Sequence, residues 1–253
     1  MIADQFRQAF LHRFTGTIWK MDVYEEAGLL AVEWRETSTG SPCFAVIHYP
    51  SGRLISNNLS YGNRWWTLAG ISREHLILQY YPEPNQARTQ GVVLIDFENG
   101  KPTYEAFNMQ FQELVSEGMI VRQNTTLTTG LSLINEAGQL LKSHVDLSET
   151  VPLKRNVKAA TPSLYPPLIP LTDQLVEGPY FHLEHEEADF WAFHEKTGTG
   201  YRLMLVVCKE QQVVFTEILD PLLSQLQPEV FFIIDRQLFF IRNNKQEFVS
   251  YFV

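Results

Sequence analysis

Two stretches of the chain carry residue types that could do chemistry. The denser is His182-Leu183-Glu184-His185-Glu186-Glu187. Imidazoles and carboxylates are the usual ligands of transition metals and the usual partners in proton transfer. On an extended strand, though, side chains alternate, so His182 and Glu184 share one face and His185 and Glu187 the other. One strand then offers two ligands per side, whereas zinc takes three or four convergent donors. Without an HExxH motif or comparable spacing, no metal is assigned. The stretch reads as a solvated acidic strand end, with His182, Glu184 and His185 available for binding.

The second stretch is Asn63-Arg64-Trp65-Trp66, to be taken together with Trp19. Indole faces beside a guanidinium suit a sugar, a peptide or a planar ligand. Trp65 and Trp66 are neighbours on a strand and must point to opposite sides, so one should pack as core and the other should face out. Catalytic signatures are lacking. There is no GxSxG, and neither Cys43 nor Cys208 sits in a cysteine–histidine catalytic motif. The adjacent pairs Glu25-Glu26 and Glu186-Glu187 would point apart rather than form an acid–base couple. Gly198-Thr199-Gly200 reads as a hairpin turn, not a phosphate loop. No catalytic residue and no cofactor follow from these patterns.

Composition narrows the partners. The chain has 253 residues and a formal net charge of −9, which repels phosphate backbones. The cluster Lys154-Arg155 with Lys158 is too small to reverse that, and there is no basic amphipathic helix for a membrane surface. Nucleic acid and membrane are therefore not expected; an unknown small molecule or protein is. The N-terminus carries Asp4 and lacks an apolar signal core, and no apolar run is long enough to span a bilayer, so the cytoplasm is the expected compartment. Both cysteines lie in or beside apolar strand patterns and read as small buried hydrophobes.

The elements that must position these residues repeat. Gly91 to Glu105 (GVVLIDFENGKPTYE) is an apolar run ending in Asp96, a turn through Asn99-Gly100, and a second extended segment. Asn-Gly between strand-like runs signals a hairpin, because both residues tolerate positive φ. Similar units surround Gly52 and Gly138, roughly forty residues to either side, each with about four short strands. Apolar runs such as FAVI, VVLI and LMLVV do not alternate, so both of their faces should be covered. Ile2, Phe6, Phe10 and Phe14 fall at i, i+4 spacing and predict a short helix over residues 2–14; its rival is an outer strand pairing with the C-terminal end. Residues 146–179 hold six prolines and predict a crossing segment through most of which no central strand can run.

The units reading LIDFENGKPTYE and LINEAGQLLKS resemble quinoprotein-type and WD-type β-propeller blades, in which an apolar strand ending in Asp or Asn precedes a Gly turn. The Trp-Asp and Gly-His pairs of WD repeats are missing, so no cofactor set carries over. The whole chain is also similar to an uncharacterised bacterial family without assigned function. The resemblance implies an all-β fold, a single propeller-like domain over 1–253 with about five four-stranded blades. Two β-sandwich or barrel halves, roughly 1–145 and 165–253, are the alternative. On such a scaffold Trp19, Arg64, Trp65 and Trp66 would line or rim the channel mouth of a binding module, less whichever of the two adjacent tryptophans packs as core. A hydrolase- or lyase-type enzyme, with its groups gathered one per blade, is the alternative function.

Overall fold

The computed structural model describes residues 6–81, 90–123 and 130–253. The chain divides into two compact units, one comprising Ile18–Arg155 and the other Met1–Thr17 with Asn156–Val253. The first strand, β1 (Arg7–Arg13), belongs to the latter.

In the Ile18–Arg155 unit each group of four consecutive strands forms one antiparallel meander. The first sheet is β2 (Thr17–Tyr24), β3 (Leu29–Arg35), β4 (Pro42–His48) and β5 (Arg53–Ser60). The second is β6 (Trp66–Ile71), β7 (His75–Tyr80), β8 (Gln90–Asp96) and β9 (Pro102–Ala106). The third is β10 (Met109–Val115), β11 (Gly118–Gln123), β12 (Leu131–Ile134) and β13 (Leu140–Ser143).

Burial explains the lack of alternation in the sequence. Leu29, Ala31, Phe44 and Val46 of the first sheet pack on Leu68, Leu76, Leu78 and Val93 of the second. The opposite face of the second sheet, with Ile77, Val92 and Leu94, meets Leu114, Met119 and Val121 of the third. A sheet covered on both sides needs apolar residues at odd and even positions alike. Each such side chain contributes about 1.5–3 kcal/mol on leaving water. The last strand of each meander faces solvent, and β13 is exposed throughout.

The turns reuse one device. Asp96 Oδ1 accepts the backbone N–H groups of Glu98 (2.8 Å) and Asn99 (3.2 Å), and Gly100 closes the turn in the left-handed region at φ 72°. Asn135 Oδ1 does the same for Ala137 (3.1 Å) and Gln139 (2.9 Å), on either side of Gly138. The Asn99-Gly100 loop is therefore not the tight turn with two positive φ values that the dipeptide suggests. Only Gly100 takes that conformation, because the Asp96 carboxylate organises a longer loop.

The second unit holds two five-stranded antiparallel sheets. Their strands are β14 (Lys158–Ala159), β15 (Thr161–Pro162), β16 (Val176–His185), β17 (Ala188–Thr197), β18 (Gly200–Lys209), β19 (Gln212–Leu223), β20 (Phe231–Ile234), β21 (Gln237–Arg242) and β22 (Glu247–Phe252). One sheet runs β15-β16-β17-β18-β19 and the other β1-β22-β21-β20-β14. Phe190, Leu203 and Leu205 of the former share a core with Leu238, Phe240 and Val249 of the latter. Five antiparallel sheets, stacked face to face within their units, make the chain all-β and propeller-like.

Two expectations need correction. The helix over 2–14 is not formed and its rival, an outer strand pairing with the C-terminal end, is: residues 7–13 are β1, paired antiparallel with β22 from Arg7↔Phe252 to Arg13↔Glu247. A bulge between Gln8 and Phe10 shifts the strand's register. Phe10 packs against Phe239 and Phe248, so spacing that suggests a helix serves a bulged strand instead. The open edge of β22 supplies backbone hydrogen bonds that local periodicity cannot foresee. Ile2 lies outside the described residues. The Pro-rich segment also gives way earlier than expected, since β16 starts at Val176 and runs through Pro179. Its register shifts between Glu177 and Phe181, and a bulge is where a strand tolerates proline. Among the described residues no helix is long and apolar enough to cross a membrane.

Candidate functional site

A cleft of about 730 Å³ opens on the Ile18–Arg155 unit, within the range of small-molecule sites. Trp19 and Lys20 come from β2, Arg35 from the end of β3, Gly40 from the β3–β4 loop, Arg64 and Trp65 from the β5–β6 loop, Thr67 from β6, and Tyr81 from just beyond β7. Trp19 is 69% exposed, an unusual state for an indole. The Arg64 guanidinium lies over the Trp65 ring, 4.7 Å from its centroid. Asn63 shapes this corner by accepting the Trp65 N–H at Oδ1 (3.0 Å), while its carbonyl takes the Trp66 N–H (3.1 Å).

Arg35 holds the corner in place. Its Nη1 donates to the carbonyls of Gly40 (3.2 Å) and Arg64 (2.5 Å), and its Nη2 to that of Trp66 (2.9 Å). Its Cζ also sits 5.9 Å from the Trp19 ring centroid. Beneath it, Glu33 is wholly buried. Glu33 Oε2 accepts the Thr67 hydroxyl (2.6 Å) and the Leu68 N–H (2.7 Å), tying β3 to β6. The other oxygen, Oε1, lies 2.5 Å from Arg35 Nη2. That contact is ionic, for Oε1 accepts no well-aligned hydrogen bond. A carboxylate this deep requires a compensating cation, so the pair fixes the floor of the cleft.

The two adjacent tryptophans separate, although only Trp66 is on β6 and Trp65 belongs to the turn before it. Trp66 is buried, against Tyr61 (4.9 Å between centroids), Tyr80 (5.2 Å) and Phe107 (6.2 Å), and Trp65 is half-buried at the cleft wall. Trp66 is thus a packing residue and leaves the set of ligand contacts. Gly62 supports it: at φ 62°, a Cβ there would fall 2.4 Å from Trp66 Cδ1. Burial, and then its hydrogen bond to Glu105, push the Tyr61 hydroxyl well above the ordinary phenol range.

The histidine stretch lies in the other unit. His182 is engaged across its own hairpin, with Nε2 2.8 Å from Asp189 Oδ1 and its ring stacked on Trp191 at 4.0 Å. His185 Nδ1 is 3.4 Å from Lys158 Nζ, and Glu184 is exposed. Among the described residues, no group of three or more His, Cys, Asp or Glu side chains is arranged to hold a metal ion. Sequence reading passed over Glu33, Arg35, Lys20, Thr67 and Tyr81. Glu33 left a signal, being a carboxylate at the centre of the apolar strand LLAVEWR.

A family described as a domain of unknown function (DUF4905) matches residues 23–104. The matched span includes Arg35, Gly40, Arg64, Trp65, Thr67 and Tyr81 of the cleft and stops short of Trp19 and Lys20. No curated protein matches. Among solved structures, prolyl oligopeptidase B from Galerina marginata, in its apo form, is similar at 11% identity and a TM-score of 0.31. That similarity covers 91% of this chain and 30% of the other, so the chain spans less than a third of that protein's length.

Proposed function

We propose that this protein is a binding module on an all-β, propeller-like scaffold, and that it takes a small molecule or a protein segment in the cleft formed by Trp19, Arg64 and Trp65. The observation that carries this reading is the wide exposure of Trp19 beside a guanidinium-stacked Trp65, on a floor fixed by the Glu33–Arg35 pair. Exposed indoles on a rigid frame can bind a ring or an apolar side chain with little ordering cost. The lining favours binding over hydrolase- or lyase-type chemistry, for among the described residues it includes no His, Cys, Asp or Glu. With a net charge of −9, neither nucleic acid nor a membrane surface is part of the proposal.

The test is a thermal-shift screen of the wild-type protein, repeated on Trp19→Ala and Trp65→Ala. Compounds that raise the wild-type melting temperature should lose most of their effect in both variants. Stabilising compounds that act equally on all three proteins would place the binding site elsewhere.

A further inference from the structure

The cleft runs against the charge of the chain that contains it. The net charge is −9, yet among the described residues the ionisable side chains lining the cleft are Lys20, Arg35, Arg64 and the phenol of Tyr81. Arg35 is not available to a ligand: three carbonyls and Glu33 engage it, and Glu33 cancels its charge. Lys20 and Arg64 differ. Both are exposed, and among the described residues neither forms an ion pair with a carboxylate. They line the same cleft as Trp19, a residue 69% exposed.

We propose that the cleft selects anionic ring compounds, in which an aromatic ring stacks on Trp19 and a carboxylate or phosphate on that ring meets Lys20 and Arg64. This rests on the binding role proposed above. The ring supplies contact area to the indole, and the anion answers two cations for which no carboxylate partner is found among the described residues. A guanidinium can hold a carboxylate or phosphate with two parallel hydrogen bonds, while an ammonium acts as a point charge. A neutral ring would gain the stacking alone, and a cationic ring would meet like charge.

The experiment compares three probes of one shape, 2-naphthoate, 2-naphthalenemethanol and 2-naphthylmethylammonium, titrated into the full chain by ligand-observed NMR. The anion should bind about tenfold more tightly than the alcohol, a difference of about 1.4 kcal/mol, and the ammonium should bind weakest. Raising salt from about 0.01 M to about 1 M shortens the Debye length from about 30 Å to about 3 Å and should erase most of the preference. Lys20→Ala and Arg64→Gln should each weaken 2-naphthoate and leave the alcohol unchanged, whereas Trp19→Ala should weaken both. Equal binding of anion and alcohol would overturn the selectivity while leaving the binding role intact. If no probe binds in a Trp19-dependent way, both proposals fall.

Discussion

The Trp19–Trp65 cleft and the His182 hairpin use similar groups to different ends. Each sets a basic side chain near an indole and a carboxylate. In the hairpin all three groups satisfy one another: His182 contacts Asp189 and stacks on Trp191. In the cleft one cation is sacrificed to structure. Arg35 pairs with buried Glu33 and holds the backbone at Gly40, Arg64 and Trp66, which leaves Arg64, Lys20 and Trp19 facing outward. Ligand sites need outward groups whose positions are fixed by others. A density of titratable residues in sequence does not measure that.

The largest effect should separate the neighbouring tryptophans. Trp66→Ala removes a buried indole with three aromatic neighbours and should cost about 3–5 kcal/mol. Trp65→Ala should cost less than about 1 kcal/mol, because the ring is half-buried at a cleft wall. Paired denaturant melts decide the matter. Equal, large losses would make Trp65 core and remove one wall of the proposed site.

Next comes the pair beneath the cleft. Glu33→Ala leaves the Arg35 cation without its counter-charge and frees the Thr67 hydroxyl and Leu68 N–H, for a cost of about 3–5 kcal/mol. Glu33→Gln keeps an acceptor for those donors and should cost about 1–3 kcal/mol. His182→Ala, which breaks a more exposed pair, should fall within about 0–1 kcal/mol. Urea titrations of the three variants would rank them. If Glu33→Ala is no worse than His182→Ala, the distinction between a fixed floor and a self-satisfied hairpin is lost.

What could be read from sequence follows physical locality. Strands β3 and β21 occupy the apolar runs Leu29–Arg35 and Gln237–Arg242, because a strand buried on both faces has little choice of residue. That one of Trp65 and Trp66 packs and the other faces out was legible, but not which, and the turn at Asn63 rather than strand alternation separates them, since Trp65 precedes β6. Strand β1 was legible only as the rival to a helix: its spacing fits a helix, and the β22 edge that decides for a strand comes from the opposite end of the sequence. The Glu33–Arg35 arrangement was half legible. A carboxylate inside LLAVEWR is anomalous, but its meaning depends on Thr67, Leu68 and three carbonyls brought in by the fold. Residues 82–89, which follow Tyr81, and residues 124–129 lie outside the described residues.

The smallest effect concerns two histidine–carboxylate pairs, one in each unit. His75 Nδ1 lies 2.6 Å from Glu136 Oε2, with the imidazole largely buried, whereas His182 and Asp189 meet in the open. The hydrogen bond from His75 holds the Glu136 carboxyl below its ordinary value of 4.5, against the opposing effect of burial and with help from Ser72. A carboxyl depressed in the folded state binds fewer protons there than in the unfolded chain. Its stabilisation is therefore complete above about pH 4.5 and fades as pH falls through the folded value. Since Glu136 is 35% exposed, solvent screening reduces the contribution to about 0.5–1 kcal/mol. Glu136→Gln should lose that amount at pH 7, and the deficit relative to wild type should shrink in melts carried below pH 4.5. Asp189→Asn, tested across the same range, should stay within about 0.5 kcal/mol of wild type. A Glu136→Gln deficit that does not change with pH would mean that the carboxylate's charge contributes nothing, and an equal deficit in Asp189→Asn would show that burial does not distinguish the two pairs.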